Sequence, residues 1–86
     1  MSQAATTTPY TVFVQNVSSL VEAGTIGLSA ASVLRHAADA RLFGENERAA
    51  TELEADLLLT SLSDRQKLSR GAASHMRTML ERIQPL

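Results

Sequence analysis

Apolar residues recur at intervals of three and four along most of the chain, the spacing typical of amphipathic helices. The first such segment follows Thr8, a residue type favoured at helix N-caps, and Pro9, which is well tolerated at the first helical position. We expect this helix to run to about Ala23 and to end at Gly24. Its apolar positions are Tyr10, Phe13, Val14, Val17, Leu20 and Val21.

Residues 11 to 17 also have a high β-branched and aromatic content, which is typical of a strand. The chain offers no second strand candidate with which this segment could pair. The sequence therefore favours a helix here, with a strand as the alternative.

The second predicted helix begins with Ser29 as its cap, runs to about Phe43 and ends at Gly44. Small residues dominate the side that we expect to be buried, which permits a close approach between helices. The residues of this side are Ala30, Val33, Leu34, Ala37 and Ala40.

The third predicted helix runs from Asn46 to about Thr60, with Glu45 and Glu47 near its positive end. We assign Ala49, Ala50, Leu53 and Leu57 to its inward side. A second apolar stripe, on the opposite side, consists of Ala55, Leu58, Leu59 and Leu62. A helix that is apolar on two sides is either central to the bundle or partly covered by another chain, and both alternatives stay open.

The fourth predicted helix begins with a capping box of the form S-x-x-Q from Ser63 to Gln66. We expect it to be about 20 residues long, or about 30 Å, and to stop at Pro85. Its apolar stripe consists of Leu68, Ala72, Met76, Met79, Leu80 and Ile83.

Four helices with short connections predict an all-α fold, a small four-helix antiparallel bundle over residues 9–86. Residues 1–8 are small and polar, so we expect them to form a flexible, disordered N-terminal tail. A chain of 86 residues buries only roughly 63% of its unfolded surface on folding. Because the core is this small, we expect self-association to complete it.

The composition excludes several classes of function. The chain has no Cys, which removes thiolate catalysis, Cys-based zinc and iron–sulfur sites, and a secreted disulfide framework. We see neither a signal peptide nor an apolar run long enough to cross a membrane, so we expect a cytoplasmic protein. An abundance of Ala and a preference for Arg over Lys indicate a bacterial or phage origin.

Candidate catalytic groups are few. Ser32, His36 and Asp39 share one helical flank, but a helix lacks the strained turn and the oxyanion donors that acyl transfer requires. His75, at the edge of the last apolar stripe, is either a boundary residue or part of a pH-sensitive interface. We therefore expect a protein that is not an enzyme.

Neither a metal site nor a cofactor site is expected. The residues three positions before His36 and His75 are Val33 and Ala72, so the Glu-x-x-His unit of di-metal bundles is missing. The four glycines are scattered and form no phosphate-binding loop. We accordingly predict no cofactor and no small-molecule substrate.

Charge is unevenly distributed along a chain whose formal net charge is −1. Residues 44–63 carry five acids against one Arg, a net charge of −4; residues 64–86 carry five basic residues against two acids, a net charge of +3. Either these two segments are neighbours whose charges offset one another, or the basic helix binds an acidic partner.

The function that these patterns favour is a non-catalytic helical protein–protein interaction module, such as a small adaptor, a chaperone-like subunit or an inhibitor. It would act as a homodimer or within a hetero-complex. The predicted partner-binding residues are Ala55, Leu58, Leu59, Leu62, Arg70 and Arg77.

The alternative is a small transcriptional regulator that binds nucleic acid through its basic last helix, using Arg65, Lys67, Arg70 and Arg77. That helix has no aromatic residue to stack on bases, and the net charge supplies no global positive field. We therefore expect a protein partner and no nucleic acid.

Overall fold

A computed structural model describes residues 8–44 and 46–86 of the chain. It contains four helices, α1 (Pro9–Glu22), α2 (Leu28–Phe43), α3 (Arg48–Asp64) and α4 (Arg70–Glu81), and no strand within the described residues. The prediction of a small all-α four-helix bundle is confirmed, and the strand alternative for residues 11–17 is wrong. The predicted tail lies outside the described residues, except for Thr8.

Each helix packs against the next along the chain, and α4 returns to pack against α1. The largest fully buried side chains come from α1, α2, α3 and the segment that follows α4: Phe13, Val17, Leu34, Leu59 and Ile83. The predicted small-residue face of α2 is present, because Ala31, Ala37, Ala38 and Ala40 are fully buried. Within the described residues, no helix is both long enough and apolar enough to cross a membrane.

Both ends of α1 follow the local signals in the sequence. The Thr8 hydroxyl accepts a hydrogen bond from the Thr11 amide at 3.2 Å. At the other end, Gly24 adopts a left-handed φ of 76°, and the Thr25 amide reaches back to the Leu20 carbonyl at 2.9 Å.

The start of α2 differs from the prediction. Gly27 is its N-cap, so the predicted cap Ser29 lies inside the first turn. Its end is as predicted, with Gly44 in the left-handed conformation. The buried side includes Ala31, Ala38 and Arg41 in addition to Leu34, while Ala30 and Val33 are only half-buried.

The predicted junction between the last two helices is wrong. Helix α3 starts at Arg48 and continues to Asp64, so Ser63 lies in its last turn and forms no capping box. The chain turns through Gln66, whose φ is 61°, and the Lys67 amide donates to the Leu62 carbonyl at 2.8 Å. This is a Schellman ending with glutamine where glycine is usual.

Ser69 caps α4, and its hydroxyl accepts a hydrogen bond from the Ala72 amide at 3.0 Å. The helix has 12 residues rather than about 20 and ends at Glu81, before Pro85. Its predicted stripe nevertheless lies in the core, with Ala72 half-buried and Ala73 buried as well. Leu68 and Ile83 reach the core from outside the helix, on either side of it.

Candidate protein-interaction surface

The leucines predicted to bind a partner lie inside the bundle. Ala55 and Leu59 are fully buried, Leu62 is 4% exposed, and Leu58 packs partly buried against the core. These four residues form the inward side of α3, so this structure does not present them to a partner. Their assignment to the outer side of the helix was wrong.

The opposite side of α3 is exposed. Leu53 and Leu57 are 59% and 60% exposed, and Ala49 and Ala50 are exposed beside them. We call these four residues the outer α3 face. They were predicted to point inward, and the reversal has a simple cause: both stripes have helical spacing, and periodicity does not show which one meets the neighbouring helices.

The outer α3 face has the spacing of a helix-pairing surface. Ala50, Leu53, Leu57 and Thr60 follow one another at intervals of three, four and three residues, and all four are exposed. A second helix can pack along such a line, because a repeat of three and four keeps these side chains on one side of α3. At a rise of 1.5 Å per residue, the line from Ala50 to Thr60 extends over about 15 Å.

The two edges of this face differ in charge. On one edge, Asp56 accepts a hydrogen bond from Arg77 Nε, and Arg77 Nη2 also donates to Thr60 Oγ1 at 2.7 Å. On the other edge lies Glu54, which is exposed and forms no ion pair within the described residues. Glu47, one heptad earlier, lies on the same edge as Glu54.

The two arginines predicted to bind a partner have different environments. Arg77 is half-buried and holds α4 against α3 through Asp56 and Thr60, so the expected offset between the acidic and basic helices is present here. Arg70, the first residue of α4, is exposed together with Arg65 and Lys67 of the preceding turn. Arg70 and Arg77 line one surface cavity together with Asp64, but they do not form a free basic surface, because Arg77 is engaged by Asp56 and Thr60.

A partly buried ion pair lies between α2, α3 and the end of α4, and the sequence analysis missed it. Arg41 is 7% exposed, and its guanidinium donates to Glu52 Oε2 at 2.7 Å. It also donates to the carbonyls of Glu81 at 2.7 Å and Ile83 at 3.2 Å, where α4 ends. The sequence did contain a signal for the burial of Arg41. This residue lies seven positions after Leu34 and four after Ala37, on the buried stripe of α2.

Glu52 also accepts a hydrogen bond from Arg48 at 3.0 Å. Partial burial raises the pKa of Glu52, but the hydrogen bonds from Arg48 and Arg41 and their positive charges outweigh this effect. The pKa of Glu52 therefore lies below its ordinary value of 4.5.

A polar cavity of about 170 Å³ adjoins this ion pair and is lined mainly by α3 and α4 residues. Glu52 and Asp56, two of its carboxylates, are each already bound by an arginine. Such pairing holds these carboxylates in one geometry, and the two ion pairs join α3 to α2 and α4.

The residues considered for catalysis and metal binding do not converge. Ser32, His36 and His75 are exposed, while Asp39 accepts a hydrogen bond from the Tyr10 hydroxyl at 2.7 Å. This hydrogen bond is the leading cause of a raised pKa of Tyr10, followed by burial and the charge of Asp39. Among residues 8–44 and 46–86, no three His, Asp or Glu side chains are grouped so that they could hold a metal ion.

An apolar cavity of about 350 Å³ lies between the start of α1, the end of α2 and residues 83–86. Its lining residues are Thr8, Pro9, Tyr10, Leu42, Ile83, Gln84 and Leu86. The Leu86 amide donates to the Leu42 carbonyl at 2.9 Å and holds the end of the chain against α2. The Tyr10 hydroxyl, which could orient a ligand, is already bound to Asp39, so this cavity has less support as a binding site than the outer α3 face.

Comparison of the chain with protein-family models, with curated proteins and with solved structures gives no match.

Proposed function

We propose that this protein is a cytoplasmic, non-catalytic interaction module that binds a protein partner through the outer α3 face. The observation that carries the proposal is the exposure of Leu53 and Leu57 on a helix whose other side already fills the core. An arrangement of exposed apolar side chains on one helical line is typical of a surface that packs against another helix.

The energetics favour a partner that covers more than the two leucines. Fully burying a leucine contributes about 1.5–3 kcal/mol, so burying the exposed portions of Leu53 and Leu57 would contribute about 2–4 kcal/mol together. Association costs about 4 kcal/mol or more in lost translational and rotational freedom. The partner must therefore also contact the alanines and the charged edges of this face.

The basic side chains give less support to the alternative function, nucleic-acid binding. Arg77 donates its hydrogen bonds to Asp56 and Thr60, which leaves Arg65, Lys67 and Arg70 exposed near the start of α4. Asp64, exposed in the same region, would repel phosphate. The outer α3 face thus carries the stronger functional argument.

The proposal is tested by affinity capture from the native host with three forms of the protein. The first is the wild type, and the second is Leu53→Glu combined with Leu57→Glu. The third is the matched control Gln15→Glu combined with Ser19→Glu, which adds two carboxylates at exposed positions of α1 with the same spacing. We expect a partner captured by the wild type and by the α1 control to be lost with the α3 variant.

Two results would contradict the proposal. One is retention of the same partners by the α3 variant. The other is loss of binding in both double variants, which would show that added negative charge matters rather than the outer α3 face.

A further inference from the structure

The charges along the edges of the outer α3 face indicate which kind of helix can cover it. Leu53 and Leu57 are the two large apolar side chains of this face, and they lie in its middle, between Ala50 and Thr60. The edges must then distinguish one apolar helix from another, because apolar contacts alone discriminate poorly between helices of similar size.

Only one edge carries acids that are not engaged in ion pairs. Glu47 and Glu54 lie seven residues apart on that edge, are exposed, and form no ion pair within the described part of the chain. The negative charge of Asp56, on the other edge, is offset by Arg77. A helix that lies along the face therefore meets net negative charge on one side only.

A second copy of the chain does not supply Glu54 with a complementary charge. In an antiparallel pair centred on Leu53 and Leu57, equivalent edges face one another, which brings the two Glu54 side chains together. In a parallel pair, Glu54 faces the edge that carries Ala49 and Asp56, where Arg77 is committed to Asp56. Neither orientation gives Glu54 an uncommitted cation.

We propose that the occupant of the outer α3 face is an amphipathic helix of another protein, with an apolar line flanked along one edge by Lys or Arg. This inference rests on the proposed function and adds the partner's chemistry to it. The basic edge pairs with Glu47 and Glu54, while the apolar line covers Leu53 and Leu57. Opposite charges on the edges steer association and exclude acidic helices.

The probes are three synthetic helical peptides of about 18 residues, or about five turns. They share one leucine line and carry Lys, Gln or Glu along a single edge. Affinities are measured by fluorescence anisotropy at about 50 mM and about 300 mM salt. We expect the Lys peptide to bind on the order of fivefold more tightly than the Gln peptide, and the Gln peptide more tightly than the Glu peptide. The difference should shrink at high salt, because the charges are exposed.

Substitutions on the acidic edge of α3 test whether its glutamates cause the preference for the Lys peptide. Glu47→Gln combined with Glu54→Gln should remove most of the preference for the Lys peptide, and Glu47→Lys combined with Glu54→Lys should make the Glu peptide the tighter ligand. Glu22→Gln, which removes an exposed carboxylate at the end of α1, serves as the control and should leave the preference unchanged.

Other outcomes overturn the inference and separate it from the proposed function. If all three peptides bind equally well and Leu53→Glu abolishes their binding, the inference of a basic partner helix is refuted. The outer α3 face then remains the binding surface. If light scattering shows that the chain dimerises and that Leu53→Glu abolishes the dimer, the occupant is a second copy of the chain. This result also refutes the inference of a basic partner helix. Failure of every peptide to bind contradicts both proposals.

Discussion

At the scale of single residues, Arg41 joins more elements than any other side chain described above. It neutralises Glu52 of α3 and donates to two carbonyls at the end of α4 while remaining 7% exposed. The last carbonyls of a helix have no partners within that helix, so this arginine acts as a cap supplied by α2.

Replacing Arg41 with Ala should lower the free energy of unfolding by about 2–4 kcal/mol, because the two carbonyls would lose their donor and Glu52 would keep only Arg48 as a partner. Urea denaturation followed by circular dichroism measures this loss. Arg48→Ala, which removes only the partly exposed i,i+4 partner of Glu52, should cost about 0.5 kcal/mol. Equal losses in the two variants would show that burial of Arg41 does not matter.

The lowered pKa of Glu52 predicts a dependence of stability on pH. Because the folded chain favours the ionised carboxylate, its contribution is complete above the ordinary value of 4.5. The contribution is lost as the pH falls through the lower pKa of the folded state. The urea midpoint of Glu52→Gln should therefore fall less than that of the wild type in this acidic range.

The matched control for the pH experiment is Glu54→Gln, which removes an exposed carboxylate two residues after Glu52, on the other side of α3. It should follow the wild-type pH profile. If Glu54→Gln and Glu52→Gln flatten the profile to the same extent, the ion pair with Arg41 is not the cause.

The sequence was a poor guide to these residue-scale features. Arg41 is charged, and charged residues in a helix usually face solvent, although its register placed it on the apolar stripe of α2. For Arg77 and Asp56, the sequence predicted only that the opposite net charges of two neighbouring helices offset one another, and not that these two side chains pair. A sequence gives the total charges but not which side chains come within hydrogen-bond distance of one another.

At the scale of the elements, caps and periodicity located the helices where their signals were unambiguous. Thr8, Pro9 and Gly24 correctly delimited α1, and Gly44 correctly ended α2. The junction of α3 and α4 was misplaced because two serines, at positions 63 and 69, could each begin a helix. The residue that ends α3 in the left-handed region is Gln66, a residue type that carries no such signal.

Gln66 provides a test of this ending. A non-glycine residue in the left-handed region costs about 1 kcal/mol, which glycine avoids, although glycine also has more freedom to lose on folding. Gln66→Gly should therefore raise the free energy of unfolding by about 0.5–1 kcal/mol in a urea titration. Lys67→Gly, at the neighbouring position outside that region, should give no such gain. A loss of stability in Gln66→Gly would contradict the Schellman ending.

At the scale of the whole molecule, each helix of this four-helix bundle keeps one side toward solvent, and on α3 that side carries two large apolar residues, Leu53 and Leu57. The sequence showed that α3 has two apolar sides, but not which side belongs to the core. The answer depends on how α2 and α4 pack against α3, and this packing is not encoded in the periodicity of α3 itself.

The two sides of α3 should respond differently to the same substitution. Leu53→Glu combined with Leu57→Glu should leave the chain folded and lower the unfolding free energy by only about 1–2 kcal/mol, because each leucine is about 60% exposed. Leu59→Glu combined with Leu62→Glu should unfold it, because two carboxylates would be buried without partners. Circular dichroism and urea titration distinguish these outcomes, and the reverse result would restore the original assignment of the faces.

The most direct test of the binding surface is a calorimetric titration of a partner captured by the wild type into the folded Leu53→Glu, Leu57→Glu variant. We predict an affinity lower by at least about 30-fold, or about 2 kcal/mol, with the Gln15→Glu, Ser19→Glu control binding like the wild type. Wild-type affinity in the α3 variant would show that the exposed leucines of α3 are not where the partner binds.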